Sequence, residues 1–399
     1  MKYEKPDFKL RTSSYQYLWS LDDNVVFLNH GSYGACPKAV LRMQQSLRSQ
    51  LEQDPVNFFG RQWEPLLDNA RSKLAAFINA DVQDLVFVPN ATTGVNSVLR
   101  SLTFSPDDEI LTTNHEYNAC RNALNFIASR TGARVVVAKI PFPLESPEQI
   151  IAAVLEKVSA KTRLALLDHI TSQTGVIFPM QQLVKELQAR GVETLIDGAH
   201  APGMISLNMQ EIGATYYSGN CHKWLSAPKG AAFLYVQRDK QPEIHPLTIS
   251  HGANSPRTDK SRFQLEFDWT GTDDPTGYMC VPEAIAFMSS LLPGGWLELM
   301  QRNHQLVLQA RQLLCKELEV QPPCPEEMIG SMAVVPIPVS LENCSHVWLH
   351  DELFDQFGIQ VQVVPWQESP GMLIRISAQI YNTLEQYQYL ATALKNLYR

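Results

Sequence analysis

Lys223 lies between His222 and Trp224 in the segment Gly219-Asn220-Cys221-His222-Lys223-Trp224-Leu225. An amine held in crowded, apolar company loses part of its affinity for a proton, and an uncharged amine is what bonding to a carbonyl carbon requires. Taken singly, the same lysine is also explained as a surface charge beside a satisfied histidine. Asp197 closes the apolar run 193–196 and is followed by Gly198-Ala199-His200-Ala201-Pro202-Gly203. A carboxylate at the end of a buried strand is poorly placed for water and needs a cationic partner. A protonated pyridine nitrogen would serve, and the paired ring could then accept electrons from a breaking bond. Structural capping is the alternative for Asp197. His200, three residues on, is placed to touch the same ring.

Two more segments have chemical content. After the run 85–88 comes Pro89-Asn90-Ala91-Thr92-Thr93-Gly94 and then a helical pattern. Small and hydroxyl residues at a helix start offer free backbone N–H groups and a favourable dipole end, a place for a phosphate. Thr92 is equally a candidate N-cap. After the run 109–113 comes His115-Glu116-Tyr117-Asn118-Ala119, whose aromatic could lie against a ligand ring or belong to the core. Each segment is ambiguous alone, but their order is informative. Phosphate loop, aromatic, aspartate and lysine each follow a strand-like run, where open parallel sheets bind ligands. Together they would form one site for one cofactor.

The elements that must position these residues follow a simple rhythm. Short runs rich in Val, Ile and Leu occur at 85–88, 109–113, 134–139, 163–168, 193–197, 215–218 and 231–236. They are nearly all apolar rather than alternating, as strands buried on both faces are. Amphipathic stretches at 92–102, 117–129, 147–158 and 180–190 separate most of them. The spacing predicts an α/β fold, a mainly parallel seven-stranded sheet with helices on both faces. After about residue 280 the rhythm changes. Helices are expected at 281–292 and 296–319, split by Pro293-Gly294-Gly295, then strands at 333–339, 359–364 and 373–377 and helices at 346–357 and 384–397. We therefore expect an N-terminal arm at 1–30, a large cofactor-binding domain at 31–279 and a smaller α+β domain at 280–399.

Bulk properties narrow the field. The chain has 399 residues, 45% hydrophobic and 19% charged, which suits two packed domains of ordinary globular composition. Lys plus Arg number 33 against 41 for Asp plus Glu, a net charge of -8 that argues against nucleic acid or an anionic membrane as the main partner. The seven cysteines are scattered without a CxxC, which argues against a disulfide scaffold or structural zinc. The charged start has no apolar core, and no run of about 18 apolar residues occurs, so a cytoplasmic protein is expected. A metal hydrolase built on His200, His222, His245 and His251 lacks any HExxH-like spacing. A non-catalytic protein on the same fold would have no need for Lys223, Asp197 and Arg375 together.

With all these motifs on the page, the chain resembles the class V aminotransferase group of pyridoxal phosphate (PLP) enzymes, of fold type I. Within it, the isopenicillin N epimerase-like branch is most similar. The resemblance rests on Asn29-His30-Gly31-Ser32-Tyr33-Gly34, Asp197-Gly-Ala-His-Ala-Pro-Gly203, Gly219-Asn-Cys-His-Lys-Trp-Leu225 and the Arg375–382 segment. It implies that Lys223 is the Schiff-base lysine and main proton carrier. It likewise implies that Asp197 binds the pyridine nitrogen, His200 lies near the phenolic oxygen, and Tyr117 stacks on the ring. Thr92 and Thr93, with Ser218 or Asn220 and His222, would hold the phosphate. Thr272, in Trp269-Thr270-Gly271-Thr272, would reach the phosphate of a neighbouring subunit, implying a homodimer with shared sites. Arg375 would clamp the α-carboxylate of a small amino-acid substrate, in a site to which Asn29, His30 and Tyr33 also belong.

The reaction is less specified, because PLP weakens all three bonds at the α-carbon. A persulfide-forming desulfurase needs a cysteine shortly before the carboxylate arginine, and the stretch 360–371 has none. Epimerisation fits the motifs best. It needs a second proton carrier besides Lys223, for which Tyr33, His30 or a water are candidates. The alternatives are a cysteine-type C–S β-lyase, which needs only Lys223 and a good leaving group, and an aminotransferase. Arg61, Arg257 and Arg262 could bind a distal carboxylate, or be surface charges.

Overall fold

The computed structural model describes residues 13–338, 345–366 and 371–397. The first twelve residues of the expected arm, Cys344, the end of the expected strand 333–339 and the tip of the 360–371 loop lie outside the described residues.

The apolar runs form one sheet of β2 (Leu85–Val88), β3 (Glu109–Thr113), β4 (Arg134–Ala138), β5 (Thr162–Asp168), β6 (Glu193–Asp197), β7 (Tyr216–Asn220) and β8 (Ala232–Val236). Its order is β2-β8-β7-β6-β5-β3-β4, with β8 antiparallel to both neighbours and the remaining pairs parallel. This is the expected α/β, mainly parallel sheet. Side chains alternate between its faces. Leu164 and Leu166 of β5 join one core with Ile110, Val98, Leu124 and Phe263, while Ala165 and Leu167 join another with Leu74, Ile150, Leu183 and Phe233. Each such Leu is fully buried, worth roughly 1.5–3 kcal/mol relative to exposure. Register then does the positioning. Asp168 pairs with Asp197, and Asp197 with Ser218, so the strand ends line up in one row.

The C-terminal part is a three-stranded antiparallel sheet in the order β11-β12-β9, made of β9 (Met332–Pro336), β11 (Gln362–Pro365) and β12 (Met372–Ser377). The long helix Gly295–Glu317 packs on β9 and on the last helix, Leu384–Leu397. The expected strand 359–364 is two strands. Its first part, β10 (Ile359–Gln360), pairs in parallel with β1 (Val26–Phe27), and its second belongs to β11. The segment around residue 26 is thereby joined to the far end of the chain. Further contacts extend this join. Leu28 accepts the Ser377 N–H at 2.9 Å, and Asn382 Nδ2 donates to the Phe27 carbonyl at 2.9 Å. Gly34 lets the same segment approach the centre of the molecule. It sits at φ +70°, and a Cβ there would lie 2.8 Å from the Lys223 Cα. Among the described residues, no helix is long and apolar enough to cross a membrane.

Candidate active site

Asn90, not Thr92, caps the helix Ala91–Ser101. Its Oδ1 accepts the Thr93 N–H at 2.9 Å, so the helix starts one residue before Thr92. The Ala91 N–H is taken by Asn220 Oδ1 at 2.8 Å, which ties the end of β7 to this helix start. Thr92 and Thr93 sit half-buried in the first turn, where the dipole favours an anion. His222 bonds the Ala231 carbonyl through Nδ1 at 3.1 Å, and burial lowers it to about 4, so the ring is neutral. Ser218 lies deeper. Its hydroxyl donates to the Phe233 carbonyl at 2.9 Å, and Gly94 leaves it room, since a Cβ there would lie 2.2 Å from Ser218 Oγ. Of the two alternatives for the phosphate, Asn220 is therefore at the helix start, while Ser218 is spent within the sheet. A cavity of about 200 Å³ adjoins Thr93, walled by Trp63, Phe87, Trp269, Thr270 and Tyr278.

Lys223 is half-buried and points its Nζ at His200 Nε2, 3.1 Å away. Trp224 Nε1–H donates to the other ring nitrogen at 3.4 Å. A neutral imidazole that accepts at Nδ1 carries its proton on Nε2, from which the lysine amine can accept when it is uncharged. Burial, then the positive Arg375, lower Lys223 to about 8, which favours the uncharged amine. Asp197 is buried and lies within electrostatic reach of Lys223. Its Oδ1 accepts the Ala199 N–H at 2.9 Å, and Cys120 Sγ donates to its Oδ2 at 3.1 Å. Burial raises this carboxyl, so a cation beside it would be stabilising. Tyr117 begins the helix Asn118–Thr131 and is 42% exposed, a ring free to cover a flat ligand.

Arg375, on β12, is 4% exposed. Its guanidinium bonds the Ser172 carbonyl, Ser32 Oγ at 2.9 Å and Asn29 Oδ1 at 3.3 Å, and its Nε has no partner. Among the described residues no carboxylate pairs with it. Burial lowers it to about 10, still well above neutral pH, so the group stays cationic. Tyr33 is 76% exposed and within electrostatic range of this guanidinium.

Other expectations are corrected. His30, expected near the substrate, has both ring nitrogens engaged by the protein. Its Nδ1 meets the Tyr381 hydroxyl at 2.7 Å and its Nε2 the Lys223 carbonyl at 3.1 Å, and burial lowers it to about 3. Nε2 thus holds the backbone under the lysine, while the Tyr381 hydroxyl fixes the ring through Nδ1. Arg257 is paired with Glu64 at 2.7 Å and Asp259 at 2.5 Å, and Arg262 donates to the carbonyls of Gly252 and Ser255. Neither is free for a distal carboxylate. Arg61 is exposed, as is Thr272. His245 bonds Glu266 at 2.6 Å, away from His200 and His222. The sequence reasoning missed Glu116, Asp168 and Cys120, which crowd around Asp197. Asp168 closes β5 as Asp197 closes β6, and that repetition was visible in the sequence.

The donor set fits PLP on the structure alone. A buried acid waits for a ring nitrogen, a low-affinity amine for an aldehyde, and a helix start for a phosphate.

Comparison with known proteins agrees. The family model described as aminotransferase class-V matches residues 26–390. A probable L-cysteine desulfhydrase, chloroplastic, from Arabidopsis thaliana is 31% identical, covering 95% of this chain and 84% of its own. The isopenicillin N epimerase of Streptomyces clavuligerus is 33% identical, covering 94% and 96%. A solved mutant of C-DES, with glycine covalently linked to its PLP cofactor, has a TM-score of 0.77 at 21% identity, covering 93% of this chain and 96% of its own.

Proposed function

This chain belongs to the class-V aminotransferase family and is a PLP enzyme, and on that premise we propose that it cleaves the Cβ–S bond of a small cysteine-type amino acid. The observation that carries this reading is the supply of proton carriers. Lys223 points its amine into the site, and His30, a candidate for the opposite face, has both nitrogens engaged. Elimination needs a single base, whereas epimerisation needs one on each face. Substrate size points the same way, because Arg257 and Arg262 are occupied. Relatives named cysteine desulfhydrase and isopenicillin N epimerase both match, so the family alone does not choose between them.

When bound, PLP supplies an aldehyde for the substrate amine and a ring that draws electrons from bonds at the α-carbon. Asp197 would hold the ring nitrogen in its positive form, and Cys120 and the Ala199 N–H fix the carboxylate for that work. Thr92, Thr93, Asn220 and His222 would hold the phosphate, His200 would touch the ring's oxygen, and Tyr117 would cover the ring face. Lys223 would bond the aldehyde carbon and, once displaced by substrate, its Nζ would take the α-proton. His200 keeps that Nζ pointed inward with its own hydrogen bond. Arg375, steadied by Ser172, Ser32 and Asn29, would take the α-carboxylate.

Incubation with L-cysteine and other L-amino acids in deuterated water tests the reading. We expect pyruvate, ammonia and sulfide from L-cysteine. Racemised amino acid with α-deuterium would instead select epimerisation, with Tyr33 as the second carrier. Keto acid with pyridoxamine phosphate would select transamination. We read the active unit as a dimer in which exposed Thr272 reaches the partner's phosphate, and place it in the cytoplasm. Mixing Thr272→Ala and Lys223→Ala chains should restore activity in hybrid dimers. None, with subunit exchange demonstrated, would reject shared sites.

A further inference from the structure

Glu116 has no part in the chemistry above, yet it stands at its centre. One of its carboxyl oxygens, Cys120 Sγ and an Asp197 oxygen all lie within 4.8 Å of one another, and all three residues are buried. Asp168, paired with Asp197 across the strands, is buried too, and its Oδ2 has no hydrogen-bond partner. Three carboxyls thus share one apolar pocket. The groups that face them are few. The helix Asn118–Thr131 contributes the Cys120 thiol and Arg121, with the Tyr117 phenol at its start. Lys223 faces Asp197 and Asp168 from beyond β7, and the Tyr217 phenol of β7 faces Asp197. Arg121 gives its Nη2 to the Thr113 carbonyl at 2.6 Å, and burial lowers Lys223 to about 8. Neighbouring carboxyls in such a place do not all ionise.

The hydrogen bonds distinguish the acids. Asp197 accepts from two donors and makes no bond that would need its own proton. Glu116 Oε1 accepts the Tyr117 N–H at 3.1 Å, while Oε2 lies 2.8 Å from Thr112 Oγ1. A hydroxyl accepts as well as donates, so a proton on Oε2 has somewhere to go.

We propose that Glu116 is a positioning residue that keeps its carboxyl proton at neutral pH, directed at Thr112, and so adds no second negative charge of its own beside Asp197. Burial first, then the Asp197 charge, raise Glu116 to about 8. This rests on Asp197 as the ring-nitrogen partner, but it can be tested without the cofactor. Glutamine copies the shape and charge of a protonated glutamate. Infrared difference spectra of apo wild type against apo Glu116→Gln at pH 7 should show one protonated-carboxyl carbonyl band lost.

Thermal unfolding of the same two apoproteins gives a second readout. A raised folded-state value means that wild type is stabilised by the proton at low pH and loses that stability as pH climbs from the ordinary glutamate range toward about 8. The melting temperature of Glu116→Gln relative to wild type should therefore rise steadily from pH 5 to 8. Cofactor affinity of the variant should stay within about twofold, since no charge has been removed. An unchanged infrared band, a flat or falling melting difference, or a tenfold weaker affinity would each overturn the proposal. If Asp197→Asn still bound cofactor as wild type while both apoprotein tests came out as expected, the error would lie in the role of Asp197 and not in Glu116.

Discussion

Arg71 and Arg375 are buried to nearly the same degree, 2% and 4% exposed, and are treated in opposite ways. Arg71 sits among acids. It bonds Asp68 at 2.6 Å and Asp268, and Lys260 joins the same two acids and Glu64. Arg375 is offered a carbonyl, a hydroxyl and an amide oxygen, and no carboxylate among the described residues. A buried guanidinium costs several kcal/mol in lost hydration, which only a counter-charge or dense hydrogen bonding offsets. One region has closed that account internally. The other leaves it open for an anion that arrives from outside, and this difference marks a binding site more clearly than burial or a cavity does.

The contrast can be pressed until it fails. Lys223→Ala should have the largest effect, removing turnover by several orders of magnitude and abolishing the borohydride-fixable adduct, because the site's anchor and proton carrier are one group. In wild type the amine is uncharged above about pH 8, so PLP capture by apoprotein should speed up with pH until about 8 and then level off. A rate falling across that range would mean the amine is not the reacting group.

Next is Arg375→Met. It should lower kcat/KM about 10²-fold, the equivalent of roughly 3 kcal/mol of charge-assisted hydrogen bonding to the substrate. Because it removes an uncompensated buried charge, the melting temperature should hold or rise. Arg71→Met should do the reverse. It leaves buried Asp268 with only the longer bond to Lys260, so unfolding free energy should fall by up to about 3 kcal/mol, with kcat/KM of the folded enzyme little changed. Exchange of these two patterns would break the comparison. Arg257→Ala should move least, since its pairs with Glu64 and Asp259 are at the surface, and assays at two salt concentrations would detect any residual effect.

Much of the sheet could be foreseen, since strands covered on both faces leave continuous apolar runs such as Leu85–Val88 and Ala232–Val236. So could Lys223 and Asp197, where a polar group at a strand end contradicts its surroundings. Register and distant partners were hidden. His30 meets Tyr381 across 351 positions, and nothing local to Asn29-His30-Gly31 announces that both ring nitrogens are occupied. Arg257 has one acid close in sequence, Asp259, but its other, Glu64, lies 193 positions away and could not be foreseen. The cap at Asn90 was displaced by a smaller cause: Asn, Thr and Thr within four residues all satisfy cap chemistry, and only backbone angles choose among them. Splitting of 359–364 between two sheets likewise depends on β1, contributed from the opposite terminus.

That pairing of Val26 with Ile359 has a consequence during synthesis. Until the ribosome has made residues 359–377, Phe27 lacks its strand and Asn29 lacks Arg375. A nascent chain can already present the lysine, the aspartate and the phosphate-side helix, yet it has no means of orienting an amino acid. Competence should therefore await the segment 359–377 and not accumulate with length. Chains stalled near residue 350 would take up cofactor without turning over substrate.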